Sequence, residues 1–125
     1  MIPRPTEEHD VDRVETVEKR GCVIFRVRED LTLYSRFDRL TALVMQALDG
    51  GKVHIAFSFT PDSYLSTRLI SNLVNYWNRA REQGGSLGLI RPNLEIVAVL
   101  KTIGLSDLIS VYDSEDTISP PDQSP

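Results

Sequence analysis

The amino-acid sequence predicts an α/β fold: one domain with a mixed sheet of about five strands, an opening β-hairpin and three to four helices. The chain has 125 residues, of which 41% are hydrophobic and 26% charged, and this suits a single core of ordinary size. Short apolar runs alternate with segments of helical periodicity, an order typical of parallel strands joined by right-handed crossovers. Two strand-like runs at the start are separated only by a turn, which adds an antiparallel pair.

The N-terminal part of the chain supplies the predicted hairpin. Residues 1–9 contain two prolines and several charges without periodicity, which predicts a flexible arm. Strand-like runs follow on either side of a turn over residues 19–21. Cys22 opens the second run and is predicted to be a small buried filler. As the only cysteine, it excludes an internal disulfide and a thiolate metal cluster.

Residues 31–51 change to helical periodicity. Ser35 followed three residues later by Asp38 predicts an N-terminal cap, and Gly50 with Gly51 predicts the end of the helix. The predicted buried stripe consists of Phe37, Leu40, Val44, Ala47 and Leu48. These features define the first helix, which comes directly before the central strand.

The centre of the chain combines a strand, a loop and a long helix. Residues 53–59 form a short apolar run that predicts a buried strand, and the turn formers Pro61 and Asp62 follow it. Helical periodicity then extends from about residue 67 to residue 83. The predicted buried stripe of this helix contains Ile70, Leu73, Val74, Trp77 and Ala80. Tyr76 lies beside the stripe and is a candidate contact for a partner at the edge of the helix.

The C-terminal third continues the alternation after a helix stop at Gly84-Gly85. The predicted elements are a strand over residues 86–90, a helix from Pro92 to Gly104, a strand over residues 108–112, a helical turn from Ser114 and a disordered Pro-rich tail over residues 119–125. Apolar residues from Leu94 to Leu100 alternate on and off a buried face of the third helix.

Charge and hydropathy exclude two classes of partner. The net charge is -4 and the basic residues are scattered, which argues against direct nucleic-acid binding. No apolar run approaches the roughly 20 residues of a spanning helix, and the start of the chain lacks a signal-peptide core. We therefore expect a cytoplasmic protein without membrane insertion.

Catalytic and metal chemistry are not predicted. His9 and His54 have no second His or Cys at ligand spacing, so we expect no metal and no cofactor. No general base lies beside a candidate nucleophile in the sequence, so we predict that the protein is not an enzyme and has no catalytic residues.

The junction between the central strand and the long helix carries three hydroxyl side chains, those of Ser63, Ser66 and Thr67. A helix N-terminus offers unpaired backbone N–H groups and the positive end of the helix dipole. One hydroxyl can therefore cap the helix, or Ser66 or Thr67 can be a phosphorylation site. Spacing alone leaves both interpretations open.

Four segments resemble one known family. They are the strand HIAFSF, the junction SYLSTRL, the run GGSLGL and the closing run RPNLEIVAVLKTIGLSDLISVYDSEDTI. Over about residues 12–118 the chain resembles the STAS family, the anti-sigma factor antagonist domains of bacteria, which implies a STAS-like domain over residues 10–118. The resemblance places Thr67 on the serine that a partner kinase phosphorylates.

The phosphorylation motif departs from the family pattern at three positions. Ser66 stands where an acidic residue is usual, Arg68 replaces a second serine, and Leu69 replaces a glycine. The hydroxyl of the modified position is kept in Thr67. The motif is therefore a degenerate form of the family's phosphorylation site.

The resemblance implies a non-enzymatic signalling module that binds an anti-sigma factor with serine/threonine kinase activity. Phosphorylation at Thr67 or Ser66 would switch this binding, and a homodimer is also open. The implied partner-binding residues are Ser63, Tyr64, Arg68, Ser71, Asn72 and Asn75. The alternative is a constitutive scaffold or accessory subunit, in a stress-sensing assembly or a lipid-transport complex, that uses the same face without phosphorylation.

Overall fold

A five-stranded mixed sheet forms the frame of the protein, whose computed structural model describes residues 8–119. The elements are β1 (His9–Asp10), β2 (Val14–Lys19), β3 (Cys22–Val27), β4 (Ser35–Arg36), α1 (Asp38–Asp49), β5 (His54–Ser58), α2 (Thr67–Glu82), β6 (Ser86–Ile90), α3 (Leu94–Thr102), β7 (Ser110–Tyr112) and a 3-10 turn (Glu115–Thr117). The strand order is β2-β3-β5-β6-β7, with β2 antiparallel to β3 and the other pairs parallel. The predicted α/β fold with an opening hairpin is confirmed.

The hairpin turn depends on two residues with positive φ angles. Arg20 has φ 53° and Gly21 has φ 79°, and two such residues form the tight turn whose twist matches that of paired strands. β3 then lies between β2 and β5. The hairpin therefore places its second strand in the interior of the sheet.

The main core lies on the sheet face that the helices cover. Alternate residues of β3, β5 and β6 point to this face because successive strand residues point to opposite sides. Phe57 stacks between Phe25 and Tyr76, with ring centroids 5.4 Å and 5.6 Å apart. Buried residues of all three helices join the same cluster. The larger of the two buried clusters therefore lies between the sheet and the helices, including α2.

The opposite sheet face carries a smaller cluster. It contains Cys22, Ile24, Ala56, Ile90 and Ile118. Burial raises the pKa of the Cys22 thiol to about 12, which agrees with a filler side chain rather than a reactive one. Ile118 comes from the segment after the last strand, and Arg20 Nε donates to its carbonyl at 2.8 Å. The C-terminal segment therefore covers this face.

The predicted cap of the first helix was wrong. α1 begins at Asp38, and the Asp10 carboxylate accepts hydrogen bonds from the N–H groups of Asp38 (2.8 Å) and Arg39 (3.2 Å). Ser35 is buried in β4, where its hydroxyl accepts from the N–H of Thr32 at 2.8 Å. Pairing of β1 with β4 brings Asp10 to the helix, and local spacing does not reveal such a long-range cap.

The ends of the domain differ in part from the predicted arm and tail. Residues 1–7 and 120–125 lie outside the described residues, whereas His9 belongs to β1 and is paired in parallel with Ser35. The His9 ring nitrogen Nε2 lies 2.9 Å from Glu29 Oε1. At the other end, the Ser119 carbonyl accepts a hydrogen bond from the Tyr112 hydroxyl at 3.3 Å. Ordered structure therefore begins before residue 10.

The buried face of α2 is rotated from the predicted stripe. Tyr76 is fully buried, and its hydroxyl lies 2.6 Å from Thr41 Oγ1. Trp77 is only half-buried, and the Arg81 guanidinium lies 5.1 Å from the centre of its ring system. Burial removes Tyr76 as a candidate partner contact, and Thr41 of α1 supplies the polar partner that its buried hydroxyl needs.

An ion-pair cluster fixes the C-terminal segment to the sheet. Arg26 donates from Nε and Nη2 to the two carboxylate oxygens of Glu115, at 2.7 Å and 2.6 Å. Lys19 Nζ lies 3.3 Å from the same carboxylate. The hydrogen bonds from Arg26 lower the pKa of Glu115 to about 2, below its ordinary value of 4.5.

Glu115→Gln is expected to lower the free energy of unfolding at pH 7 by about 1 to 2 kcal/mol, a figure reduced for the residual exposure of the pair. Because the pKa of Glu115 is lower in the folded state, its ionised form stabilises the fold above about pH 4.5 and this gain is lost towards pH 2. Urea unfolding across this range measures the loss. Asp116→Asn, at an exposed side chain, should change stability by less than about 0.5 kcal/mol. A gap between wild type and Glu115→Gln that stays constant down to pH 2 would contradict the expectation.

Candidate functional site

The hydroxyls of the strand-to-helix junction have different environments. Ser66 is the N-cap of α2, is 2% exposed, and accepts a hydrogen bond from the N–H of Leu69 at 3.0 Å. Thr67 is the first helical residue and is exposed. The cap interpretation therefore applies to Ser66. Its burial conflicts with the expectation that Ser66 is an accessible phosphorylation site, and Thr67 is the remaining candidate.

Ser63 anchors the loop before α2 instead of facing outwards. It is buried, and its hydroxyl accepts from the N–H of Leu31 at 2.9 Å. The Thr60 hydroxyl lies 2.7 Å from the Ser63 hydroxyl and donates to Asp30 at 2.5 Å. Partner contact through the Ser63 side chain is therefore not available in this structure. Its position fixes the path of the backbone to Thr67.

Asn93 ties the same loop to α3. Its Oδ1 accepts from the N–H of Ile96 at 2.8 Å, which caps α3, and its Nδ2 donates to the carbonyls of Pro61 and Ser63 at 3.0 Å each. Asn93 was not among the predicted site residues. An Asn directly after Pro92 signals a helix cap, but its two loop partners lie about 30 residues away and leave no local signal.

Two exposed apolar side chains flank this tie. Tyr64 is 46% exposed, and Leu94, the first residue of α3, is 86% exposed. A cleft of about 410 Å³ lies between the loop before α2 and the start of α3, and Pro61, Tyr64 and Asn93 are among the residues that line it. Ile96 and Leu100 face the core. Large exposed apolar side chains beside a fixed loop are typical of protein-binding surfaces.

Asn93→Ala is expected to destabilise the protein by about 2 kcal/mol, because the helix cap and both loop hydrogen bonds are lost. Asn93→Ser keeps a capping hydroxyl but is too short to reach the loop, so about half of the loss should be recovered. Thermal or urea unfolding of the two variants measures the difference. Equal stabilities of Asn93→Ser and Asn93→Ala would mean that the cap contributes nothing.

The structure places three of the six predicted partner-binding residues, Arg68, Ser71 and Asn75, on the exposed side of α2 together with Thr67. Thr67, Ser71 and Asn75 are exposed at intervals of four residues, so they share one face of α2, with Arg68 beside them. Asn72 is half-buried and points inwards: its Nδ2 donates to the Arg68 carbonyl at 2.8 Å, and its Oδ1 accepts from Thr41 at 3.3 Å. We name the exposed set on the helix, Thr67, Arg68, Ser71 and Asn75, the α2 face; Tyr64 lies in the preceding loop and lines the cleft beside α3.

Arg68 already has an acidic neighbour from the start of the described chain. Its Nη2 lies 2.9 Å from Glu8 Oε2, and its Nη1 donates to the Ser35 carbonyl at 3.4 Å. The two residues are 60 positions apart in sequence. The positive charge next to Thr67 is therefore partly neutralised within the domain.

Two other groups of polar side chains are paired within the domain. His54 Nδ1 is 2.8 Å from the Ser86 hydroxyl. These are the first residues of β5 and β6, so the pair lies at the N-terminal ends of the strands, whereas the junction follows the C-terminal end of β5. His9 lies with Asp12 and Glu29 in a cluster whose ligand atoms are within 4.8 Å. Glu29 Oε2 accepts the N–H of Asp12 at 3.1 Å while Oε1 pairs with His9. This cluster is explained by internal pairing.

Residues 8–119 contain no helix with the length and apolar character needed to cross a bilayer. The C-terminal ends of β5, β6 and β7 and the start of α3 line one cleft, and the loop before α2 lines a second cleft beside the start of α3. The geometry offers a reachable hydroxyl on a rigid support.

Comparisons with known proteins agree on the fold. The family model described as STAS domain matches residues 13–118. The NMR structure of the protein TM1081 has a TM-score of 0.70 at 18% identity, with 93% of each chain covered. A crystal structure of TM1081 from Thermotoga maritima, described as a proposed anti-sigma factor antagonist, has a TM-score of 0.62 at 19% identity, covering 81% of this chain and 86% of that one.

A third similar structure is that of a second protein, in a phosphorylated form. The Bacillus cell fate determinant SpoIIAA in its phosphorylated form has a TM-score of 0.63 at 16% identity, covering 82% of this chain and 94% of that one. No curated protein sequence matches this chain significantly. At these identities the structural likenesses establish the fold.

Proposed function

The chain belongs to the STAS domain family, and from this premise we propose that it is a non-enzymatic signalling module that binds a protein partner through the α2 face. In this proposal the partner is an anti-sigma factor with kinase activity in the cytoplasm, and it is released when Thr67 is phosphorylated. The observation that carries the proposal is the exposed Thr67 hydroxyl at the first position of a 16-residue helix.

Rigid support of the junction favours recognition by another protein. Ser63, Ser66 and Asn93 fix the loop and the helix start through hydrogen bonds of 2.9 to 3.0 Å. A preorganised surface loses less conformational entropy when a partner docks. The phosphorylated state of SpoIIAA, a structural relative, supports the choice of a phosphoryl group as the modification.

The proposed modification is a transfer from ATP to Thr67. The γ-phosphorus forms a bond with Thr67 Oγ1 and its bond to the β-phosphate oxygen breaks, so ADP leaves and the hydroxyl proton passes to a base of the kinase. The phosphate adds about -1.5 to -2 charges at pH 7. Within the domain the helix N-terminus favours an anion by roughly 0.3 to 1 kcal/mol. Under a docked partner the phosphate loses its water, and the single positive charge of Arg68 offsets only part of its charge, so the uncompensated remainder costs several kcal/mol.

A constitutive scaffold is the second candidate, and one observation favours it. Tyr64 and Leu94 expose apolar surface beside the junction, and such surface suits a permanent assembly of the kind found in stress-sensing complexes or lipid-transport complexes. In that case the α2 face would bind its partner regardless of the state of Thr67.

Affinity capture followed by a kinase assay separates the two candidates. The immobilised full chain is incubated with native lysate of its source organism, and the captured proteins are identified and then supplied with ATP. Capture of a kinase-type anti-sigma factor that adds one phosphate to Thr67 supports the signalling module, with Thr67→Val as the variant that gains no mass. Capture of a transporter or assembly subunit without phosphate incorporation supports the scaffold.

A further inference from the structure

We propose that phosphorylation of Thr67 breaks the ion pair between Arg68 and Glu8, because the Arg68 guanidinium pairs with the phosphate instead. Phosphorylation then also loosens the N-terminal end of the domain. This inference rests on Thr67 as the modified residue of the proposed function. It adds a second consequence of phosphorylation, within the domain itself, to the release of a partner.

The existing contact of Arg68 is weak enough to be exchanged. Arg68 and Glu8 are 43% and 44% exposed, and their closest oxygen and nitrogen atoms are 2.9 Å apart. Ion pairs at such exposure are screened by water and typically favour the paired over the separated side chains by only about 1.4-fold to 5-fold. The second contact of Arg68, to the Ser35 carbonyl, is long at 3.4 Å. Neither contact holds the guanidinium in place strongly.

A phosphate on Thr67 is the stronger competitor for the guanidinium. Thr67 and Arg68 are consecutive residues in the first turn of α2, with side chains about 100° apart around the axis, so the long Arg68 side chain has to turn from Glu8 towards its neighbour to reach the anion. A phosphate has up to twice the charge of a carboxylate and offers three acceptor oxygens that suit the planar guanidinium fork. We therefore expect the guanidinium to pair with the phosphate in the modified protein.

The effect on the N-terminal end is local, because each following residue has its own anchor. The His9 N–H donates to the Tyr34 carbonyl at 3.2 Å, directly after Glu8. Asp10 caps α1 through its side chain. The N–H of Val11, a fully buried residue, donates to the Arg36 carbonyl at 3.0 Å. Release of Glu8 should therefore affect the His9 amide and leave the Val11 amide unchanged.

Amide hydrogen exchange by NMR at pH 7 tests the exchange of partners in the full chain. Phosphothreonine is encoded at position 67, so the test does not depend on any kinase. In wild type, phosphorylation should speed exchange of the His9 amide about twofold to fivefold and leave Val11 unchanged. In Arg68→Gln the Glu8 contact is absent from the start, so the His9 amide should exchange fast in both states.

A pH titration followed by ³¹P NMR measures the second pKa of the phosphate on Thr67. This pKa would not depend on Arg68 if the role of Arg68 were purely structural. Pairing with Arg68 should make the second pKa of the phosphate about 0.2 to 0.7 units lower in wild type than in Arg68→Gln. Glu8→Gln removes the competitor, so its phosphate should titrate at or below the wild-type value. Equal titration in wild type and Arg68→Gln, or unchanged His9 exchange on phosphorylation, would overturn the inference.

Partner binding by the same samples keeps this inference distinct from the proposed function. If the encoded phosphate shifts both readouts but the partner binds as before, the switch in partner binding fails and the exchange of Arg68 stands. If the partner is released while both readouts stay constant, the function stands and the exchange fails.

Discussion

Thr67→Asp is expected to weaken binding of the captured protein partner by about 100-fold or more. The substitution places a permanent negative charge on the exposed residue that opens α2. Where the partner covers the α2 face, this charge loses its water, and Arg68, which also pairs with Glu8, offsets only part of it. A penalty of about 2.7 kcal/mol, within the range for unpaired buried charge, corresponds to 100-fold in affinity.

A matched control adds the same negative charge at another position of α2. Asn78 is exposed on the same helix, and eleven residues place it on nearly the same side as Thr67 but roughly 16 Å further along the axis. Asn78→Asp should therefore bind within about threefold of wild type, and Thr67→Ser, which keeps a hydroxyl, should bind as wild type does. Isothermal titration calorimetry measures all four affinities. Equal weakening by Thr67→Asp and Asn78→Asp would contradict a role of the junction.

Gly85→Ala is expected to cause the largest loss of stability, about 3 kcal/mol. A Cβ at this position would collide with the backbone carbonyl and the Cβ of Val53. Backbone atoms cannot move aside cheaply here, because the Ser86 N–H donates to the same Val53 carbonyl at 3.1 Å where β5 and β6 begin. Overpacking against backbone costs more than contact with a flexible side chain.

Gly50→Ala is the natural control for this effect. Gly50 has an ordinary backbone conformation, and a Cβ there would lie 3.4 Å from the Gln46 carbonyl oxygen, which is close to ordinary contact. This variant should stay within about 0.5 kcal/mol of wild type. Urea unfolding of both variants gives the comparison. Unfolding of Gly85→Ala at the same urea concentration as Gly50→Ala would contradict a collision between the added Cβ and the Val53 backbone.

The parts of the fold that depend on local periodicity could be predicted. The runs that became β3, β5 and β6 are short and apolar, and the helix stops at Gly51 and Gly84 use glycine at φ 84° and 79°. A strand between two neighbours requires a short apolar run, and a residue in the left-handed region favours glycine, so both features can be recognised in the sequence. The order of the three helices and of the five strands in the main sheet therefore followed from the sequence, whereas the short pair of β1 with β4 was not predicted.

The parts of the site that depend on long-range contacts could not be predicted. Asp10 caps a helix that begins 28 residues later, and Glu8 pairs with Arg68 at a separation of 60 residues. Tyr76 and Trp77 are neighbours on one helix, and the choice of the buried one depends on Thr41 of another helix. Spacing along one element contains no information on these partners.

The environments of Ser66 and Thr67 show the same limit. Two adjacent hydroxyls at a helix start are equivalent in sequence, and a shift of one residue in the helix boundary exchanges their roles. The structure distinguishes them, because Ser66 accepts the N–H of Leu69 and Thr67 faces the surface.

The affinity of the captured partner for the unmodified chain and for the chain with phosphate encoded at Thr67 tests the central claim most directly. At equal ionic strength the phosphorylated chain is predicted to bind at least about 100-fold more weakly, and phosphatase treatment should restore the original affinity. Equal affinities before and after modification would contradict the claim that the charge at Thr67 controls acceptance by the partner.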